Sequence, residues 1–505
     1  MSCWLPVVCI LTIVFAGVAQ PKPAIQPKPA IDLGSALQAI ERQDYATAAS
    51  TLRRVLKQHP RFVAAHNLLG YVQFRQRRVV EAERSLQRAI RLAPDYLPAR
   101  VNIGNLYMET DRLSEAILEF QRVLKLEPAH IGALLSLGYI HTRRNEWNQA
   151  ISYLERAYQL DHQNEQVLLG LSNAYLADQR WESARPIIEQ LKQQEPQNAH
   201  RLARLGMILA QHKRWDEAQT VFNQGLHLQP TLDQLHYGLG YVHHRRGEQT
   251  EAKQAVQKAL ALNPQQAEAY SLLGAICVAR GELAEALDAY KRSLSLQPNQ
   301  PDVYAAMAEL YLEQRYYAPA TEALRRATRL QPARAELFTR LGDVYLAQGN
   351  LLQARAAYEK SYALNPTAPN ASFHVGHTEL KLSRYEEAIK HFERELKLNP
   401  DHVASLVGMG QAMVALNNPV QAELRLRRAL SIMPNHVEGL YQVSRALLQQ
   451  NRPAEALAAL KQAAELAPAE ARIHYQLFLA YTRLGQNEAA AKALETFRHL
   501  ESSGK

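Results

Sequence analysis

Apolar residues recur along this chain at the spacing of amphipathic helices. In one stretch, side chains three or four residues apart are apolar and those between them are charged. The apolar residues are Tyr385, Ala388, Ile389, Phe392 and Leu396, and the charged ones are Glu386, Glu387, Lys390 and Glu393. A stretch upstream repeats the spacing at Leu337, Phe338, Leu341, Val344 and Tyr345. The pattern predicts paired amphipathic helices and no β-sheet.

These helical stretches recur with a fixed period of 34 residues. Proline marks the period at Pro60, Pro94, Pro128, Pro196, Pro230, Pro264, Pro298, Pro332, Pro366, Pro400, Pro434 and Pro468, and only His162 breaks the series. Twelve residues before each of these places stands an alanine, from Ala48 to Ala490, with all 14 places filled. Twelve residues earlier again the residue is small, usually glycine, and Phe478 is the bulky exception. A fixed period of this length predicts a stack of identical supersecondary units.

One unit shows the whole pattern, in Phe338, Leu341, Gly342, Tyr345, Ala354, Tyr358 and Pro366. With these residues the chain resembles the tetratricopeptide repeat family, and in particular its exported bacterial members. The resemblance implies an all-α solenoid of about 14 helix-turn-helix repeats that forms a right-handed superhelix. The units are expected at 29–62, 63–96, 97–130, 131–164, 165–198, 199–232, 233–266, 267–300, 301–334, 335–368, 369–402, 403–436, 437–470 and 471–504. They are called repeats 1 to 14 below, and residues are also given by their position, 1 to 34, within a repeat.

Two kinds of local irregularity are expected in the stack. The turns between paired helices carry residues that tolerate turn geometry, namely Asp111, Asn145, Gly247, Gly281, Gly349, Asn417 and Gly485. Repeat 4 lacks its closing proline, and Pro186 falls inside the second helix of repeat 5, where it removes a backbone hydrogen bond. The interface between repeats 4 and 5 is therefore predicted to be the least stable one in the stack.

Composition and motifs favour a binding protein over an enzyme. The chain has 505 residues and a net charge of +9, but no long run of one sign, which makes nucleic acid an unlikely partner. No phosphate-binding glycine loop, nucleophile elbow or paired-histidine zinc motif occurs. The repeats leave no room for a catalytic domain. We therefore predict no enzymatic activity and no cofactor.

The first 31 residues differ from the rest. Leu5 to Phe15 is mostly apolar and is followed by small residues, which predicts a secretory signal peptide over 1–19 and an exported protein, periplasmic or secreted. An uncleaved segment that tethers the protein to a membrane is the alternative. The prolines of 20–31 predict a stiff linker, after which the array is expected over 32–504, with Asp32 capping the first helix. Cys277 is the one cysteine after the signal segment and is predicted to be a buried filler.

In the family that this chain resembles, the first helix of each repeat lines a concave groove. Asparagine and tyrosine side chains at those places can pair with peptide groups or add apolar area. The candidate groove residues are Asn67, Tyr71, Asn102, Asn105, Tyr139, Asn173, Arg204, Tyr241, Arg340, Asp343, His374, His377 and Arg445. A metal site at Asp343, His374 and His377 is the weaker interpretation of that part of the groove, and no metal is predicted.

The preferred hypothesis is a scaffold that binds an extended polypeptide or a partner protein in this groove. Two alternatives stay open: an assembly or secretion factor for an envelope polysaccharide, and a regulatory subunit of a glycosyltransferase. Trp147, Trp181 and Trp215 lie one period apart and are predicted to pack rather than to bind glycan. The bulky Phe478 and the apolar Phe497 and Leu500 predict weak self-association through repeat 14.

Overall fold

The computed structural model describes residues 30–194 and 197–503, so the predicted signal peptide and almost all of the predicted linker lie outside the described residues. The described chain is all helical, with 28 helices that follow each other in helix-turn-helix pairs and without a strand. This confirms the predicted fold class of about 14 repeats. No helix in the described part is both long and apolar enough to cross a membrane.

The chain divides into two compact halves, 1–238 and 239–505, and the boundary falls within α13. The helices up to that boundary are α1 (Ala30–Glu41), α2 (Tyr45–Gln58), α3 (Val63–Arg75), α4 (Val79–Leu92), α5 (Leu97–Glu109), α6 (Leu113–Leu126), α7 (Ile131–Arg143), α8 (Trp147–Leu160), α9 (Glu165–Ala177), α10 (Trp181–Gln193), α11 (Ala199–Gln211), α12 (Trp215–Leu228) and α13 (Asp233–Arg246).

The second half continues the same alternation of first and second helices. Its helices are α14 (Gln249–Leu262), α15 (Ala267–Ala279), α16 (Leu283–Leu296), α17 (Pro301–Glu313), α18 (Tyr317–Leu330), α19 (Ala335–Ala347), α20 (Leu351–Leu364), α21 (Ala371–Lys381), α22 (Tyr385–Leu398), α23 (Val403–Ala415), α24 (Pro419–Ile432), α25 (Val437–Gln449), α26 (Pro453–Leu466), α27 (Ala471–Arg483) and α28 (Asn487–Ser503).

Small residues allow the two helices of repeats 1 to 13 to approach closely. The alanine at position 20 is fully buried in repeats 1 to 13, and in repeat 14 Ala490 is 5% exposed. Opposite it, the small residue at position 8 meets a large side chain of the second helix. A Cβ atom on Gly342 would lie 2.5 Å from Cε1 of Tyr358, well inside van der Waals contact. Because side-chain bulk sets the distance between helices, enlarging either residue must force the pair apart.

The turn between paired helices has one geometry in every repeat. Its residue at position 15 has a positive φ in all 14 repeats. Glycine, asparagine or aspartate fills the place at the seven predicted turns and also at Asn451, but Gln43, Arg77, Gln179, Lys213, Arg315 and Ser383 take the same conformation. The stacked helices therefore impose the left-handed conformation even on residues for which it is strained.

The first helix begins earlier than the sequence predicts, while the helix without a closing proline ends in the usual place. Helix α1 begins at Ala30, so Asp32 is a helical residue and the prediction that it caps the first helix is wrong. Helix α8 ends at Leu160, in the same register as the other second helices, although His162 stands in the proline place. Pro186 lies inside α10, as predicted. The closing proline is therefore not needed to end a second helix here.

Candidate binding surface

The first helices of repeats 2 and 3 join two of the predicted asparagines to each other. Nδ2 of Asn102 on α5 donates a hydrogen bond to Oδ1 of Asn67 on α3, at 2.8 Å. Asn67 is only 5% exposed. Its carboxamide oxygen is thus already used between neighbouring repeats, and Asn67 holds Asn102 in place rather than presenting an amide to a ligand.

Three of the predicted residues line one shallow depression on the same two helices. Tyr71, Asn102 and Asn105 surround it, and the side chains of Phe74 and Leu86 form its apolar floor. Its volume of about 10 Å³ is that of a single water site. A ligand would therefore lie across this depression and bind its polar rim, instead of inserting a side chain.

Asn105 is the least satisfied polar group of this depression. Its side chain is half-buried, and within the described part of the chain its carboxamide has no hydrogen-bond partner. The Tyr71 hydroxyl accepts a hydrogen bond from Nη1 of Arg75 at 3.2 Å. Asn105 consequently offers an NH2 group as donor and a carbonyl oxygen as acceptor beside an aromatic ring, which suits the C=O and N–H groups of an extended backbone.

The predicted groove residues of repeats 4 and 5, Tyr139 and Asn173, differ in how far they are available to a ligand. Tyr139 is half-buried, and the guanidinium of Arg143 lies 6.0 Å from its ring centroid. Asn173 is bonded across to the next repeat, since its Oδ1 lies 2.9 Å from Nε2 of His212. Burial lowers the pKa of His212, so at neutral pH the ring is uncharged and its N–H donates to Asn173. Asn173 is therefore engaged, while the Tyr139 ring keeps an accessible part.

The charged groove residues are mostly neutralised by neighbours. Arg204 donates to Oε1 of Glu165 at 2.6 Å and to Oε1 of Gln166 at 3.1 Å. Arg340 pairs with Glu309 and, at 2.6 Å, with Glu336. Because these guanidinium groups are already paired, they are poor candidates for binding an anionic ligand.

The groove residues of repeats 7 and 10 to 13 form separate contacts. Tyr241 on α13 is half-buried. Oδ1 of Asp343 accepts a 2.7 Å hydrogen bond from the Tyr358 hydroxyl. Burial, together with this hydrogen bond, raises the pKa of Tyr358. Arg445 donates to Oε1 of Gln442 at 3.1 Å and lies 5.9 Å from the ring centroid of Tyr441.

The two groove histidines are packed against aromatic rings. His374 is stacked on Tyr358 with centroids 5.0 Å apart, and His377 is stacked on Phe373 at 5.6 Å. Burial lowers the pKa of both rings, which keeps them neutral at pH 7. They lie in an aromatic cluster, and the structure does not bring them together with Asp343 as a set of metal ligands.

A cluster of ionisable side chains around Cys277 was not predicted from the sequence. Within the described residues, the thiol of Cys277 and the carboxylates of Glu282 and Glu285 converge to within 4.8 Å of one another. Nζ of Lys253 already lies 2.9 Å from Glu282 and 2.7 Å from Glu285. The ammonium group therefore takes the place that a metal cation would need.

The electrostatics of this cluster follow from that ion pair. Hydrogen bonds from Lys253 and Arg280 lower the pKa of Glu282 to about 2. Burial, helped by the charge of Glu285, raises the pKa of Cys277 to about 12. The thiol is fully buried and stays protonated, which confirms the prediction that Cys277 is a buried filler.

The tryptophans do not form a platform on the first helices. Trp147, Trp181 and Trp215 begin α8, α10 and α12, which are second helices. The guanidinium of Arg214 covers the Trp181 ring at 3.8 Å. A pocket of about 420 Å³ lies beside this pair, between α10, α11 and α12, with Ile188 and Val221 among its walls. Among the described residues, no tryptophan is therefore placed to stack on a sugar in the predicted groove.

Comparison with known families agrees with the repeat assignment. Models of the tetratricopeptide repeat match residues 33–96, 301–334, 335–368, 379–442 and 447–499. The model of Cilia and flagella-associated protein 70 C-terminal domain matches residues 95–300. These matches confirm that the chain carries tetratricopeptide repeats. A comparison with curated proteins finds no match.

Several solved structures are similar to this chain. The Cut9–Hcn1 hetero-tetramer of APC/C is 17% identical with a TM-score of 0.37, over 88% of this chain and 95% of that chain. Naa15/Naa10 bound to HypK-THB is 14% identical with a TM-score of 0.34, over 94% of both chains. The pilF protein of Pseudomonas aeruginosa is 22% identical with a TM-score of 0.36, over 44% of this chain and 97% of that chain.

Proposed function

We propose that the chain is a non-catalytic scaffold that binds an extended polypeptide segment of a partner protein across the first helices of repeats 2 to 4. Tetratricopeptide repeats are a fold typical of protein–protein interaction. The observation that carries the proposal is the depression where Tyr71, Asn102 and Asn105 meet. It is uncharged, polar at its rim and apolar at its floor.

The geometry of the depression favours peptide backbone over other ligands. Asn102 is fixed by its bond to Asn67, while the Asn105 amide has no partner among the described residues. A fixed amide beside an available one can pair with successive backbone groups regardless of side-chain identity. The rings of Tyr71 and Tyr139 add apolar contact area along the same strip.

Glycan binding finds less support than peptide binding. A polysaccharide factor would be expected to expose aromatic rings to the sugar, but Trp181 is covered by Arg214 and lies on a second helix. The mixed ion pairs of the groove also give no continuous basic surface for nucleic acid. We further propose that the protein is exported and works in the periplasm or outside the cell. The alternative for its location is attachment to a membrane through an uncleaved N-terminal segment.

A library of displayed decapeptides, panned against the purified chain, tests the binding proposal. Peptides that bind the chain should lose about tenfold in affinity when Tyr71→Ala and Asn105→Ala are combined, since two uncharged contacts contribute roughly 1.4 kcal/mol together. Asn223→Ala, an exposed asparagine on the second helix α12, is the matched control and should bind as the wild type does. Binding should change little with salt, because no charges are paired.

Two results would contradict the proposal. Unchanged peptide affinity in the double variant would remove the depression as the site. Affinity that falls steeply with salt would instead indicate a charged surface elsewhere on the chain.

A further inference from the structure

The pocket between α10 and α12 lies where other repeats place a tyrosine of their own. At position 11 of the first helix, repeats 3, 5 and 10 carry Tyr107, Tyr175 and Tyr345, and each of them is buried. In repeat 6 the same position holds Leu209, which has neither a ring nor a hydroxyl group. Leu209 forms part of the lining of the pocket.

The contacts of two of these tyrosines define the place that their rings occupy. The guanidinium of Arg112, at position 16, lies 4.2 Å from the centroid of the Tyr107 ring. The Tyr107 hydroxyl donates a 3.0 Å hydrogen bond to Glu83, at position 21 of the preceding second helix. The Tyr175 hydroxyl donates at 2.6 Å to Glu155, at position 25 of the preceding second helix. Positions 16, 21 and 25 therefore surround the phenol that position 11 supplies.

The pocket brings the same four positions together without the phenol. Its lining includes Leu209 at position 11, Arg214 at position 16 and, on α10, Arg185 at position 21 and Glu189 at position 25. The repeat has thus kept an arginine and a carboxylate at two of the places where they hold Tyr107 and Tyr175 elsewhere. A phenol from outside the chain would meet the kind of groups that bind the chain's own tyrosines.

The tryptophan beside the pocket does not replace the missing tyrosine. Trp147 stands at the equivalent position of α8, one repeat earlier, and the following repeat still buries Tyr175. The volume of about 420 Å³ falls within the range of about 300–1,000 Å³ for small-molecule sites, and Ile188 and Val221 give apolar walls. The pocket therefore has room for one aromatic side chain and the backbone next to it.

The charges around the pocket indicate what should flank that aromatic side chain. Arg185 is exposed, and within the part of the chain that the structure describes its guanidinium makes no hydrogen bond or ion pair. Glu189 pairs with Lys192 at 3.0 Å, but a carboxylate can accept further hydrogen bonds, as Glu83 does from Tyr107 and Arg112. An acidic group on the ligand would complement Arg185, while a hydroxyl group would complement Glu189.

We propose that this pocket binds a tyrosine side chain of a partner protein, in a segment with an acidic residue next to the tyrosine. The ring lies beside Arg214, the hydroxyl donates to Glu189, and the acidic residue pairs with Arg185. The site lies on α10 to α12, whereas the depression proposed to bind peptide backbone lies on α3 and α5. It is a second binding site, and it does not depend on the first.

Saturation-transfer difference NMR of the full chain with the peptide acetyl-Glu-Tyr-Glu-amide tests this proposal. The tyrosine ring should receive the strongest transfer, and the analogue with phenylalanine should bind about threefold to about tenfold more weakly, since it lacks the hydroxyl. Leu209→Tyr supplies the chain's own phenol and should abolish binding. Leu447→Tyr makes the same change at position 11 of repeat 13, so it is the matched control and should bind as the wild type does.

Two exposed residues keep the test decisive if Leu209→Tyr disturbs the fold. Glu189→Ala should remove the preference for tyrosine over phenylalanine and leave the affinity of the phenylalanine peptide unchanged. Arg185→Ala should weaken the acidic peptide by up to about fivefold, as the loss of an exposed ion pair does, and should not weaken acetyl-Ala-Tyr-Ala-amide.

Several results would overturn the proposal. One is a wild-type chain that does not bind the acidic tyrosine peptide, and another is a folded Leu209→Tyr chain that binds it undiminished. A preference for tyrosine that survives Glu189→Ala would also overturn it. Loss of binding on combining Tyr71→Ala with Asn105→Ala would place the peptide in the depression of repeats 2 and 3 instead, whereas normal binding by that variant supports a separate site.

Discussion

Replacing Asn102 by alanine should destabilise repeats 2 and 3, although Asn102 is half-buried and lies on the candidate binding surface. The reason for this expected loss of stability is the hydrogen bond between Asn102 and Asn67. Oδ1 of Asn67 accepts the 2.8 Å hydrogen bond from Asn102, and Asn67 is 5% exposed. Asn102→Ala removes the donor and leaves a buried acceptor without a partner.

The magnitude follows from the cost of an unsatisfied buried polar group. Such a group costs about 1–3 kcal/mol, against an effect within about 0.5 kcal/mol for an ordinary surface substitution. Asn105→Ala should have only the small effect of a surface substitution, because within the described residues the Asn105 carboxamide makes no hydrogen bond. The two substitutions remove the same group from neighbouring turns of α5, so each controls for the other.

Amide hydrogen exchange measured by mass spectrometry can separate the two variants locally. A loss of 1–3 kcal/mol should accelerate exchange in α3 and α5 by about 5-fold to about 140-fold, since each 1.4 kcal/mol is a factor of ten. Exchange in α19 and α20 serves as the internal reference and should stay the same. Combining Asn67→Ala with Asn102→Ala should cost less than the sum of the single variants, because the orphaned oxygen is removed.

Equal exchange in the Asn102→Ala and Asn105→Ala variants would refute this reasoning. It would mean that the bond between repeats contributes nothing to the stability of the candidate surface.

Three further predictions concern the turns, the irregular helix and the histidines. Arg315→Gly should raise the urea midpoint by the equivalent of about 0.5–1 kcal/mol, because the left-handed conformation costs a non-glycine residue about 1–2 kcal/mol and the greater entropy of glycine in the unfolded chain offsets part of the gain. Gly281→Ala should lower the midpoint, and equal shifts in the two variants would contradict a strained turn. Pro186→Ala should slow amide exchange in α10, since it restores a helical donor, and unchanged exchange would contradict the predicted low stability of the interface between repeats 4 and 5. The lowered pKa values of His374 and His377 mean that the unfolded chain binds protons more readily than the folded one. Stability should therefore be complete above about pH 6.5, the ordinary histidine pKa, and fall as the pH drops through the lowered values; replacing both histidines by glutamine should flatten this dependence in a thermal melt.

Much of the fold could be predicted because its signals are local and repeated. The alanine at position 20 and the small residue at position 8 are packing requirements, and the burial of Ala48 through Ala490 confirms them. The turns were only partly predictable. Arg315 and Lys213 adopt a positive φ that their own preferences oppose, since the packing of the two helices decides the turn.

The candidate site was less predictable because its geometry depends on contacts between repeats. The positions of Asn67, Asn102 and Asn105 within their repeats predicted that they lie on corresponding helix faces. They did not predict the hydrogen bond between Asn102 and Asn67, which occupies Asn67 and leaves Asn105 available. The pairing of Arg340 with Glu309 likewise joins neighbouring repeats, and it depends on rotamers that a sequence does not specify. The ion pair of Lys253 beside Cys277 gave no sequence signal, because its members are spread over three helices.

Photo-cross-linking from position 105 tests the central claim most directly. A photoreactive amino acid replaces Asn105 in one variant and Asn223, on the second helix α12, in the other, and both are irradiated with a decapeptide selected on the wild-type chain. The account predicts cross-linked peptide at position 105 and none at position 223. Cross-linking at position 223 alone, or at neither position while the peptide still binds, would contradict a polypeptide site on the first helices of repeats 2 to 4.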